Sequence, residues 1–230
     1  MLTPLEIEAL QLSLLVGVVS IIGALPFALA CAWLLARRDF WGKSLFDGIV
    51  HLPLVLPPVA VGFALLVLFG RNGIIGALLY NTLGITFAFN WKGAALASAV
   101  MAFPLMVRAM RLSLEAVDQR LEAAARTLGA GPWRAFITVS LPLAVPGIIA
   151  GAILGFARSV GEFGATITFV SNIPGETRTL PVALYTLTQI PGSDLPAWRL
   201  AGLSVALALA ALTLSEMFAR RLGRRLRGQD

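Results

Sequence analysis

Long apolar runs alternate with short polar ones along this chain, and most of the runs are too long for strands or ordinary core helices. They extend from about Ala9 to Leu35, Asp47 to Phe69, Gly93 to Met110, Leu143 towards Val170, and Ala197 to Phe218. A helix needs about 20 mostly apolar residues to cross a bilayer. The pattern therefore predicts an all-α integral membrane protein with about five transmembrane helices in a single domain, residues 1–230. Residues 73–91 carry Gly73, Gly76, Asn81, Gly84 and Asn90, and read as an interfacial turn with a short helix. Residues 171–196 carry Pro174, Gly175, Pro181, Pro191 and Gly192, and read as a polar loop.

Composition agrees: 58% of residues are hydrophobic, only 13% are charged, and the mean hydropathy is +0.85. The net charge of +6 does not signal nucleic acid, because the basic residues sit at the ends of apolar runs. They act as topology signals. Arg37, Arg38 and Lys43 follow the first run, residues 108–134 from the end of the third hold Arg108, Arg111, Arg120, Arg126 and Arg134, and Arg220, Arg221, Arg224, Arg225 and Arg227 close the chain. Basic loops stay on the cytoplasmic side, which predicts an N-terminus outside and a C-terminus inside. The one cysteine, Cys31, and one histidine, His51, predict neither an intrachain disulfide nor a metal site. Ala28-Leu29-Ala30-Cys31 loosely resembles a lipoprotein cleavage site, but Glu6 and Glu8 precede it without Lys or Arg, whereas a secretory leader begins with positive charge.

Within the runs, two features depart from plain apolar helix. Pro53, Pro57 and Pro58 fall within six residues, and each removes a backbone donor. That density predicts a broken helix bordering a pathway. Arg158 and Glu162 lie inside the fourth run, four residues apart and so on one helix face. Charges at such depth are costly and face the bundle interior or a water-filled cavity. They read either as a structural ion pair or as the lining of a central route, where Arg158 attracts an anion and Glu162 limits the attraction.

Residues 111–142 hold the most specific motif. Ala, Leu, Glu and Arg favour helix over 115–128, Gly129 is placed to end it, and Pro132 and Trp133 begin a second short helix before Pro142 opens the next span. Ala123, Ala124 and Ala125 give the first helix a smooth face that lets another chain approach closely. The segment resembles the cytoplasmic loop of ATP-binding-cassette importer permeases: Glu-Ala-Ala, three residues, Gly, nine residues, an aliphatic, any residue, Leu-Pro. Ala123, Ala124 and Ala125 occupy the first places, Gly129 the glycine, Val139 the aliphatic, and Leu141 and Pro142 the ending. The family's leading Glu falls on Ala123, with Glu122 one residue earlier, so a salt bridge made by that Glu is not carried over.

The resemblance implies a helical bundle of the type I importer permease, and a coupling segment that inserts into a separate ATPase subunit. It implies a partner set of a second copy of the chain, an ATPase dimer and an external binding protein, in the bacterial cytoplasmic membrane. ATP and Mg belong to the ATPase. No Gly-x-x-x-x-Gly-Lys-Ser/Thr occurs here, so the chain is read as a transport subunit that binds no cofactor and no metal. Residues 51–62 and 156–181 resemble the molybdate branch of the family, with sulfate or thiosulfate and tungstate permeases as alternatives. The loop with Glu176, Arg178 and Asp194 is then the outward docking surface for a molybdate-binding protein. An autonomous channel or secondary transporter leaves the Gly129 spacing unexplained. An intramembrane enzyme needs a nucleophile with a base or paired carboxylates, which His51 and the lone Glu162 do not supply.

Overall fold

A computed structural model describes residues 3–226. Arg227 lies outside them, and the side chains of Arg220, Arg221, Arg224 and Arg225 lie outside the described side chains. The elements are α1 (Pro4–Arg37), α2 (Lys43–Val55), α3 (Pro58–Phe69), α4 (Ile74–Leu83), α5 (Trp91–Glu115), α6 (Gln119–Thr127) and α7 (Pro132–Ala135). A π-helical turn, Phe136–Ser140, leads into α8 (Leu141–Val160), followed by α9 (Gly164–Val170), α10 (Leu180–Thr188) and α11 (Asp194–Leu226). Four of the described helical stretches are long and apolar enough to cross a membrane, and α2 with α3 make a fifth span if the bent pair is counted as one.

α1 starts at a capping box: the Glu6 amide donates to Thr3 Oγ1 at 3.4 Å and the Thr3 amide to Glu6 Oε2 at 2.6 Å. The helix then runs unbroken through Pro26. It packs with α5 and α8 around Ala24, Ala28, Ala32, Leu35, Ala102, Met106, Met110, Leu114 and Ala144. The alanines among them let the helices approach closely, which matters because lipid supplies no hydrophobic drive between helices and close van der Waals packing must hold them. A Cβ on Gly155 would come within 2.7 Å of Met106, and one on Gly147 would strike Ser113. Three hydroxyls add buried polar ties: Ser20 and Ser159 are 2.7 Å apart between α1 and α8, and Ser13 accepts from the Leu180 amide at 2.7 Å. The Arg199–Glu6 pair at 3.3 Å fixes α11 to the start of α1.

The break predicted in the second run is present: α2 and α3 meet at a 112° bend, because Pro57 and Pro58 leave no amide donors there. Other sequence expectations are corrected by the structure. The fourth run ends at Val160, and residues 161–163 break it before α9. At its other end Pro142 lies in the first turn of α8, as expected, but α7, the π turn and α8 run on as one 29-residue stretch. Helix does not fill 115–128, since α5 ends at Glu115 and Asp118 caps α6 by accepting from the Arg120 amide at 2.9 Å. Finally, the loop 171–196 contains α10, with Pro181 in its first turn where a missing amide costs nothing.

Candidate coupling surface and pathway

At one end of the bundle α6 turns two different faces to its surroundings. Outward it presents Ala123 and Ala124, with Ala125 half-buried. Leu121, Leu128 at 89% and Trp133 at 66% exposure flank them. Inward it presents Glu122. The Glu122 carboxylate lies 3.4 Å from Arg37 Nη2, accepts from the Ser140 hydroxyl, and so joins the end of α1, the π turn and α6. Arg37 also donates to the Val117 carbonyl at 3.3 Å, and its side chain is only 7% exposed.

Gly129 closes α6 at φ +91°, a left-handed conformation that costs a side chain about 1–2 kcal/mol. The turn lets the Gly129 amide reach Arg126 O at 3.0 Å and the Ala130 amide reach Ala125 O at 3.1 Å. The chain then reverses into Pro132, and Trp133 stacks on Phe136, which meets Trp33 of α1 edge-on at 6.0 Å. Val139 and Leu141 are half-buried while Pro142 is exposed. The motif thus forms one compact block whose apolar residues Leu121, Leu128 and Trp133 remain largely exposed. Beside it Lys43 donates to Asp39 at 2.9 Å and holds that carboxyl below its usual range, mainly by the hydrogen bond.

The two helix breaks lie against one another. A Cβ on Gly164 would meet Pro58 Cβ at 2.7 Å, and one on Gly62 would meet the Ala165 carbonyl oxygen. The bend of the second span and the start of α9 are therefore in direct contact. Glu162, with its side chain 1% exposed, accepts from the Ala165 amide at 2.8 Å and pairs with Arg158 Nη1 at 2.6 Å. The expected ion pair is present, but not on one helix face: Glu162 lies beyond the end of α8 and caps α9. That cap gives the buried carboxylate a partner besides Arg158, whose side chain remains 28% exposed. Pro53 does not join this cluster. It lines an apolar groove of about 770 Å³ with residues of α1 and α5, including Ser20, Phe27, Trp91 and Phe103.

In the loop, Glu176 is exposed, whereas Arg178 donates to Asn172 Oδ1 at 2.8 Å. Asn172 in turn donates to Thr186 at 2.9 Å, and the Thr177 hydroxyl accepts from Ile173 and donates to Ser171 O. The loop is thus a built cap on α10. Sequence reasoning missed Arg37 and Ser140 as partners of Glu122. Nothing local to the motif points to them, since both arrive through the packing of other elements.

A multi-pass helical bundle with a preformed apolar block projecting at its basic end defines a membrane subunit suited to docking another protein. The chain belongs to the family of binding-protein-dependent transport system inner membrane components, whose pattern matches residues 24–228. It is 62% identical over 219 residues to the molybdenum transport system permease protein ModB of Escherichia coli strain K12, covering 95% of this chain and 96% of that one. The Haemophilus influenzae protein of the same name is 57% identical over 222 residues, covering 96% and 97%. The sulfate transport system permease protein CysT of Escherichia coli K12 is 35% identical over 222 residues, covering 95% and 80%. Among solved structures, a bacterial ABC transporter that imports alginate superposes with a TM-score of 0.74 at 18% identity, covering 96% and 80% of the chains. The MetNI methionine ABC transporter gives 0.68 at 17%, covering 94% of each. These two likenesses concern the fold.

Proposed function

We propose that the chain is the transmembrane permease subunit of an ATP-driven importer that carries molybdate across the bacterial cytoplasmic membrane. The observation that carries the substrate is the 62% identity over nearly the whole chain to a molybdenum permease, against 35% to a sulfate permease. The apolar block of α6 and α7 supports the energy source. Its exposed Leu121, Leu128 and Trp133 around Ala123 and Ala124 suit a groove on an ATPase subunit that holds ATP and Mg. Two copies of the chain would enclose the route, with the C-terminus inside as the basic ends require. An external molybdate-binding protein would dock at the cap that carries Glu176.

Alternating access then follows. Closure of the ATPase dimer draws the two α6 blocks together, and the Glu122–Arg37 and Glu122–Ser140 contacts pass that displacement to α1 and α8. The paired breaks at Leu56-Pro57 and Gly161–Phe163 are where the spans can change direction without losing long helix ladders. Arg158 offers the passing anion a transient attraction, held weak by Glu162. Bacteria lacking their own molybdate permease, but keeping its ATPase and binding protein, should regain molybdoenzyme activity at low external molybdate when given this chain. Failure with a fully assembled complex would reject the assignment.

A further inference from the structure

A cleft between α2 and α5, at the basic end of the bundle, holds charges that neither the coupling block nor the helix breaks use. It encloses about 350 Å³ and is lined by Asp47, His51, Arg108, Arg111, Leu112 and Glu115. Arg111 spans the two acids: Nη1 donates to Asp47 Oδ2 at 3.0 Å and Nε to Glu115 Oε1 at 2.7 Å. The His51 Nδ1 lies 3.0 Å from Asp47 Oδ1 and 2.9 Å from the Asp47 carbonyl oxygen. Asp47 Oδ2 and Glu115 Oε1 are therefore committed to Arg111, while Asp47 Oδ1 is buried without a hydrogen-bond partner among the described residues. Arg108 is exposed, lies one turn before Arg111 on the same face of α5, and enters no ion pair among the described residues.

An arginine that merely snorkels to the membrane surface needs no second guanidinium beside it. Here two project into one cleft at the cost of mutual repulsion, and the acids neutralise only Arg111. They also hold its plane fixed, leaving Nη2 as a donor beside the free fork of Arg108. Such planar donors match the tetrahedral oxygens of an oxyanion.

We propose that this cleft is a binding site for a tetrahedral oxyanion, with Arg108 as the free donor and Arg111 as the clamped one. The anion is either free in solution or the phosphate of a lipid headgroup, since both present the same oxygens. For the free anion the proposal rests on the transport reading above, and the cleft is then a weak site near the inner mouth. Asp47 and Glu115 keep the net charge low, which suits release rather than capture.

The test uses the complete transporter in lipid-depleted maltoside micelles. Phenylglyoxal modifies accessible arginines, and its rate at Arg108 is followed by peptide mass spectrometry, with exposed Arg71 at the other end of α3 as the internal reference. Molybdate or sulfate at constant ionic strength should slow Arg108 about threefold when present at twice its Kd, and leave Arg71 unchanged. Phosphatidylglycerol added to the micelles separates the sources: protection by lipid alone assigns the headgroup, and protection by free anion assigns the solute. In Arg111→Gln, which keeps Arg108 as reporter, the protection should vanish. No protection of the wild type by either source overturns the proposal. Molybdate uptake by the same preparation in vesicles tests the transport reading separately. Uptake without protection removes the site and keeps the function, and protection without uptake does the reverse.

Discussion

Arg37 at the end of α1 and Glu122 at the centre of α6 form an ion pair of 3.4 Å, and this contact turns the docking block from a loose loop into part of the bundle. With Arg37 almost fully buried, removing Glu122 leaves its charge uncompensated, at a cost of about 3 kcal/mol. Glu122→Ala should therefore lower ATP-driven uptake at least tenfold while the ATPase still turns over, because the block no longer pulls on α1. Uptake and ATPase rates measured together in vesicles check this. Equal losses in both would mean that Glu122 matters for docking alone.

Gly129 carries the second prediction. At φ +91° a valine is strained by about 1–2 kcal/mol, whereas asparagine tolerates that conformation. Gly129→Val should reduce co-purification of the ATPase subunit, and Gly129→Asn should retain most of it. The reverse order would remove the left-handed turn from the account.

Leu128 and Trp133 are the exposed apolar anchors of the block. Leu128→Asp should abolish co-purification of the ATPase without changing the amount of permease in the membrane, since the side chain touches little of its own chain. A drop in permease level itself would show that the residue serves folding instead.

At the helix breaks, Glu162→Gln keeps an oxygen that can accept from the Ala165 amide, so assembly should remain near wild type. Arg158→Gln leaves a buried carboxylate with only its cap, so expression should fall, and the double variant should restore it. Uptake should stay low in the double variant, because the attracting guanidinium is gone. Full uptake there would reduce the pair to a structural tie.

The Asp39–Lys43 pair sets a pH expectation. A carboxyl with a lowered pKa gives stability above its unfolded value near 3.9 and loses it as pH falls through the lowered folded value. The group is wholly exposed and screened, so Asp39→Asn should leave uptake unchanged between about pH 5 and 8. A clear loss in that range would place Asp39 at a partner contact.

Much of this was legible from the residues themselves. Pro57 and Pro58 announce the bend because missing amides cannot be hidden, and Gly129 announces a helix end because few other residues accept its φ. The break before α9 was not legible: Val160-Gly161-Glu162-Phe163-Gly164 reads as continuous apolar helix with one charge, and only the packed structure shows Glu162 capping the next turn. α10 was hidden for the opposite reason, since Pro181 and the flanking Pro174, Gly175, Pro191 and Gly192 resemble loop chemistry. The Arg37–Glu122 tie and the Asp47–Arg111 tie join distant parts of the chain, and no local pattern encodes such a pairing.

The most direct measurement is uptake of labelled molybdate into vesicles that hold this chain with its ATPase and binding protein, competed with tungstate and with sulfate. A molybdate importer requires ATP for this uptake, which tungstate should suppress and equimolar sulfate should little affect. Uptake without ATP, or competition by sulfate but not by tungstate, would contradict that assignment.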